Sequence, residues 1–153
     1  MTLSLEKIDQ DYLIAARVAE NLREHDLKEM ELLYPGQDVY NLLFDSVDES
    51  VEVWEITTEG GKTIAIGGVA EVYGLPGYCV WLVGTSEMDE LRRQREMLRL
   101  GKDLMPRLLR RYQRLSNYCS ADKGQIWAMR QLGFTVHETE NKDVRFIECV
   151  QYQ

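Results

Sequence analysis

The chain has 153 residues, 18 basic and 26 acidic, for a net charge of −8, and 44% of it is hydrophobic. That length fits one domain with a core of its own, and the acidic balance argues against a general nucleic-acid binder. Three cysteines at wide spacing and two distant histidines argue against a disulfide framework and a metal site, and a reducing, cytoplasmic setting is the simplest expectation. No apolar run approaches the roughly 20 residues that span a bilayer, and the first residues lack the basic and apolar regions of a signal peptide.

Charge is unevenly spread. From Leu91 onward, residues 91–114 hold nine bases (Arg92, Arg93, Arg95, Arg99, Lys102, Arg107, Arg110, Arg111, Arg114) and two acids, Glu96 and Asp103. The segment carries +7 and the remainder −15, which points to an anion site or to a surface for a protein partner or a second copy.

In chain order, residues 3–8 alternate as a first strand. Asp9 or Asp11 caps a helix with the stripe Leu13, Ala16, Val18, Ala19 and Leu22, broken near His25 and continuing to Leu33. Residues 39–44 read as a short helix. Residues 51–57 form a strand with Val51, Val53 and Glu55 on one face and Glu52, Trp54 and Ile56 on the other. A glycine turn returns it along residues 63–73. Gly67-Gly68 marks a bulge or a close backbone approach. Residues 78–83 are nearly all apolar, as in a strand buried on both faces.

Ser86, with Asp89 and Glu90, reads as the cap of a long helix whose stripe is Met97, Leu98, Gly101, Leu104, Met105, Leu108 and Tyr112. Pro106 inside it predicts a kink or a break. Residues 115–120 are a strand, Asp122 caps a helix to Leu132, and Gly133 supplies its left-handed stop. Residues 135–140 and 144–150 close the chain as a hairpin. The expected class is α/β with a mixed sheet, in the order β-α-α-β-β-β-α-β-α-β-β. Expected core residues are Ile66, Trp81, Val83, Leu98, Leu108, Ile126, Leu132 and Phe134.

This order, with the run from Ala121 and Asp122 to Leu132-Gly133-Phe134, resembles the GNAT superfamily of acetyl-CoA N-acyltransferases. Ile64-Ala65-Ile66-Gly67-Gly68, Cys79-Val80-Trp81-Leu82-Val83, the basic helix, Tyr118 and the Gly133 stop also resemble the small internal virion protein family of short-tailed phages. The first resemblance implies a pyrophosphate loop of glycines between the central strand and the long helix, and a tyrosine acid four residues before the Gly of the stop. Here Gly84 has no glycine after it until Gly101, Glu87, Asp89 and Glu90 crowd the loop, and Met129 stands where the tyrosine would be. A thioether donates no proton.

Candidates remain. Glu55, Glu71 and Tyr118 are possible acid–base groups, and Val83, Gly84, Arg92, Arg93, Arg95 and Asp122 are possible coenzyme-binding positions. Cys79 and Cys119 read as structural thiols. The leading expectation is a catalytically degenerate domain acting through protein contacts, with no cofactor. Two others stay open: an acetyl-CoA-dependent acyltransferase with an altered phosphate loop, and an anti-host inhibitor that keeps the fold as a scaffold.

Overall fold

The computed structural model describes residues 3–151. Its seven strands form one sheet in the order β1-β2-β3-β4-β5-β7-β6, and only β4 and β5 run parallel. The strands are β1 (Ser4–Ile8), β2 (Ser50–Thr57), β3 (Thr63–Ala70), β4 (Tyr78–Gly84), β5 (Arg114–Ser120), β6 (Thr135–Glu138) and β7 (Val144–Val150). The helices are α1 (Tyr12–Glu20), α2 (Glu24–Leu33), α3 (Val39–Glu49), α4 (Leu91–Tyr112) and α5 (Lys123–Gln131). The mixed α/β class is as the sequence suggests.

Alternation along β2 divides the core in two. Val53 and Ile66 face α1 and α3, packing on Val18, Leu43 and Val47. Trp54 and Val69 face the other way, with Leu108 of α4, Leu115 of β5 and Phe134 beyond α5. Gly67 and Gly68 permit close approach at the sheet centre. A Cβ on Gly67 would lie 2.6 Å from the Trp81 carbonyl oxygen, and one on Gly68 2.5 Å from that of Glu52. The register shifts of β2–β3 fall elsewhere, at Ser50/Glu52 and Ile56/Thr57, so the glycines mark close approach and no bulge.

Several boundaries differ from the sequence reading. The first helical stretch breaks at Asn21–Arg23, where Leu22 forms a bridge with Thr85, and not at His25. Leu13, on the expected stripe, is 72% exposed, and Ala15 takes the buried position. α3 continues to Glu49, β3 ends at Ala70 and β6 at Glu138. Ser86 does not cap α4. Ser86–Asp89 is a separate 3-10 turn, Glu90 is extended, and α4 starts at Leu91. α4 runs on through Pro106, so the proline removes a bond without ending the helix.

Gly133 adopts φ 98°, the left-handed stop expected of it. Ile66, Leu108 and Phe134 are buried, whereas Trp81, Val83, Leu98, Ile126 and Leu132 are half-buried. β4 is not enclosed on both faces, since Leu82 is exposed. Its neighbour explains this: β5 pairs with β4 only at Tyr78–Leu115 and Cys79–Ser116. Beyond that the ladder gives way to a side-chain bond, from Asn117 Nδ2 to the Val80 carbonyl at 2.9 Å.

Candidate functional site

The parting of β4 and β5 opens a cavity of about 490 Å3. Its walls come from both layers: Arg23, His25, Asp26 and Glu29 around the start of α2, and Met97, Leu104 and Met105 on α4. A second cavity, also about 490 Å3, shares His25, Glu29 and Asp122 with it and adds Glu24, Lys28 and Asp89.

The start of α2 is fastened to the end of β4. The Arg23 amide donates to the Gly84 carbonyl at 3.0 Å. The Gly84 amide donates to Asp26 Oδ2 at 2.8 Å, in a buried setting. Asp26 also lies 3.0 Å from Arg23 Nε and 3.3 Å from His25 Nδ1. Burial pushes the Asp26 carboxyl up, but the bond from His25, the Arg23 charge and the Gly84 amide outweigh it and hold it below its ordinary value. The same bond raises His25, with burial opposing. Glu29, one turn on, accepts from the Ser120 amide at 3.0 Å, and burial raises its carboxyl. His25 and Glu29 both line the cavity, bonded to Asp26 and to the Ser120 amide respectively and not to each other.

Several amides of the segment after β4 have acceptors within the chain, while the start of α4 has no side-chain cap. Thr85 N–H donates to the Ile64 carbonyl at 2.9 Å, Met88 N–H to Thr85 at 3.0 Å, and Glu90 N–H to Glu87 at 3.3 Å. A Cβ on Gly84 would meet Met88 Cγ at 2.6 Å, so the side chain of Met88 already fills the turn. Glu87 pairs with Lys62, and Asp89 sits 4.0 Å from Arg23.

The positions singled out in the sequence scatter. Tyr118 and Asp122 line the cavity. Tyr118 is 42% exposed and packs on Phe146, while Asp122 caps α5 by accepting from the Gln125 amide. Glu55 lies on the α1/α3 side and accepts from the Thr63 hydroxyl; Glu71 is exposed past the end of β3. Val83 packs towards α1 and α3. Arg92 and Arg95 are exposed, but Arg93 is buried, with Nη1 3.6 Å from Glu59 and 3.4 Å from Glu96. The three arginines therefore do not form one open cluster.

Burial raises Cys79 to about 12 and Cys119 to about 11, which leaves both as protonated thiols. Trp54 is core, and Trp127 is 58% exposed at the rim of the cavity. Sequence reasoning missed Arg23, His25, Asp26 and Glu29. The available signal was His25 and Glu29 at a spacing of four, on one helix face at the break.

The layers, the sheet order and the splay of β4 from β5 define the GNAT acetyltransferase fold. Solved structures with that fold align over nearly the whole chain. The GNAT domain of PAT from S. lividans matches with a TM-score of 0.68 at 12% identity, covering 96% of this chain and 89% of that one. A spermidine N-acetyltransferase SpeG chimera from Vibrio cholerae and hSSAT matches at 0.66 and 10% identity, covering 98% and 96%. PaiA N-acetyltransferase from Thermoplasma acidophilum, solved in complex with coenzyme A, matches at 0.63 and 12% identity, covering 99% and 100%. The sequence matches no protein-family model and no curated protein. Among the described residues, no helix is long and apolar enough to cross a membrane.

Proposed function

We propose that this chain is a catalytically degenerate GNAT-fold domain that works through protein contacts, as a phage protein linked to virion assembly or to early interaction with the host. The observation that carries this reading is the bond from the Gly84 amide to the buried carboxylate of Asp26. An acetyl-CoA enzyme of this fold holds pyrophosphate on loop amides at a helix start. Here the amides of Gly84, Thr85, Met88 and Glu90 already have acceptors within the chain, and Glu87, Asp89 and Glu90 add like charge. These residues do not fit a coenzyme pyrophosphate, and Met129 supplies no acid.

The contact surface in this reading is the exposed face of α4. Arg92, Arg95, Arg99, Lys102 and Arg110 are all exposed. Among the described residues, Arg95, Arg99, Lys102 and Arg110 lie in no ion pair, whereas Arg111 pairs with Glu52 and Arg114 with Glu148. Their spacing keeps these four within one stripe of the helix. Such a stripe on a chain of net charge −8 orients it towards an acidic protein surface, of which a second copy is the simplest case.

A second reading, an N-acyltransferase with an altered phosphate loop, draws on the open cavity and on His25 and Glu29, which both line it. Thermal unfolding with and without acetyl-CoA separates the two. Ligand at a hundred times its Kd adds about 2.7 kcal/mol of stability. The degenerate reading expects no such gain, and a saturable gain would favour the acyltransferase.

A further inference from the structure

The charge of the chain is divided across the sheet. Residues 38–49, α3 with its cap, hold four acids and no base, whereas residues 91–114 carry +7. α3 packs with α1 on the face that Val53 and Ile66 present, and α4 packs on the face of Trp54 and Val69. The acidic and the basic helix therefore lie on opposite sides of the molecule.

Asp38, Asp45, Asp48 and Glu49 are all exposed, and among the described residues none of them lies in an ion pair. Their spacings of seven, three and four keep them on the side of α3 turned away from Leu43 and Val47. Arg95, Arg99 and Lys102 repeat on α4 at four and three. At 1.5 Å per residue, the acids of α3 cover about 16 Å and the stripe from Arg95 to Arg110 about 22 Å, so the two match in period and roughly in length. The acidic side also exposes rings. Tyr12 and Tyr40 pack on Phe44 at 5.6 and 6.4 Å, and the Tyr12 hydroxyl donates to Asp48. Arginine stacks on tyrosine, and these two residue types are among the commonest anchors of protein interfaces.

A two-fold dimer sets the same patch of both copies together. α4 on α4 would oppose base to base, and α3 on α3 acid to acid, and both arrangements repel. α4 on α3 joins opposite signs. With the two helices on opposite faces of the sheet, each copy joined in this way keeps one acidic and one basic face free, and such a contact runs on instead of closing at two.

We infer that the chain assembles head to tail, with the α4 stripe of one copy against the α3 stripe of the next, into open-ended stacks. This assembly rests on the reading of α4 as a contact surface. It adds the surface that α4 meets, the polarity of the contact and the absence of a fixed size.

Sedimentation velocity tests it on the full chain. In low salt the mean mass of the native protein should keep rising with concentration, and in high salt it should fall to that of the monomer. Two neutralised forms separate the faces, each checked for folding by near-ultraviolet circular dichroism. Arg95→Gln, Arg99→Gln and Arg110→Gln together silence α4. Asp45→Asn with Glu49→Gln silences α3 and leaves Asp48 to hold Tyr12. Each form alone should stay monomeric where the native chain stacks. Mixed in equal amounts, they should give one complex of twice the monomer mass and nothing larger, because each supplies the face that the other lacks.

If a form fails to fold, the concentration and salt series on the native chain still decides. A native mass that levels off at the dimer, an α3 form that assembles like the native chain, or a mixture that forms no complex would overturn the inference. A native chain that is monomeric at every concentration in low salt would also overturn it, while leaving α4 free to meet a different acidic protein. Binding of acetyl-CoA would count against the degenerate reading and would not alter the stacks.

Discussion

Asp26 and Gly84, 58 residues apart, are joined by a buried hydrogen bond in which the carboxylate oxygen accepts the glycine amide at 2.8 Å. Asp26 is 4% exposed and is also the counter-charge of Arg23. Asp26→Ala would strand both a donor and a cation. The expected loss is about 3 kcal/mol, as for removing one partner of a buried pair. Asp26→Asn, which keeps the shape but not the charge, should lose less. Chemical denaturation of both variants checks the order; equal and negligible losses would show that the clamp contributes nothing.

The same cluster sets a pH dependence. Asp26 is held below its ordinary value of 3.8 by its bonds with His25, Arg23 and the Gly84 amide, against burial. A depressed carboxyl contributes stability that is present above that ordinary value and lost as pH falls through the folded one. His25 is raised above 6.5 by its bond to Asp26. Its contribution is complete below 6.5 and lost as pH rises through the raised value. The two together are greatest between about pH 4 and 6.5. Melting temperature measured across that window should fall on both sides, and Asp26→Asn should flatten both arms. An unchanged profile in the variant would contradict this.

Two glycines should respond differently to alanine. At Gly67 the new Cβ would meet the Trp81 backbone oxygen at 2.6 Å, which cannot swing away. At Gly101 it would meet Leu132 Cδ2 at 2.7 Å, the far end of a flexible side chain. Gly67→Ala should cost about 3 kcal/mol, and Gly101→Ala about 1 kcal/mol or less. Leu108→Ala, at 2% exposure, should cost roughly 2–5 kcal/mol. Urea unfolding of the three variants tests the order, and a loss at Leu108 below about 1 kcal/mol would mean that the α4 face is misjudged.

Reversing Arg95, Arg99 and Arg110 to Glu should leave the melting temperature nearly unchanged, because surface substitutions cost little. It should abolish self-association or partner capture, and native association should weaken as salt rises. Sedimentation at low and high salt reads this. A triple variant that assembles like the native chain would reduce the stripe to a solvated face.

Periodicity carried most of the fold. The alternation of Val53 against Trp54 and the spacing of Leu104, Met105 and Leu108 each specify a buried side, and the structure uses those sides. What was not legible depended on long-range pairing. Residues 78–83 look enclosed because they are apolar, yet β5 leaves β4 after two pairs and Leu82 is exposed. Nothing near Leu82 in the sequence encodes that departure.

The site was legible only in part for the same reason. The mismatch at Glu87, Asp89 and Glu90 could be read locally. Asp26, which takes the Gly84 amide, stands 58 residues away on another element. Arg93 looked like a member of an exposed basic cluster, yet it is buried between Glu96, three residues on, and Glu59 on the distant β2–β3 turn.

Calorimetric titration of the native chain with acetyl-CoA tests the central claim most directly. The acceptors already present at Gly84, Thr85, Met88 and Glu90, together with the acids of the loop, predict no saturable heat. A Kd below about 10 μM, or roughly −7 kcal/mol, would contradict the account.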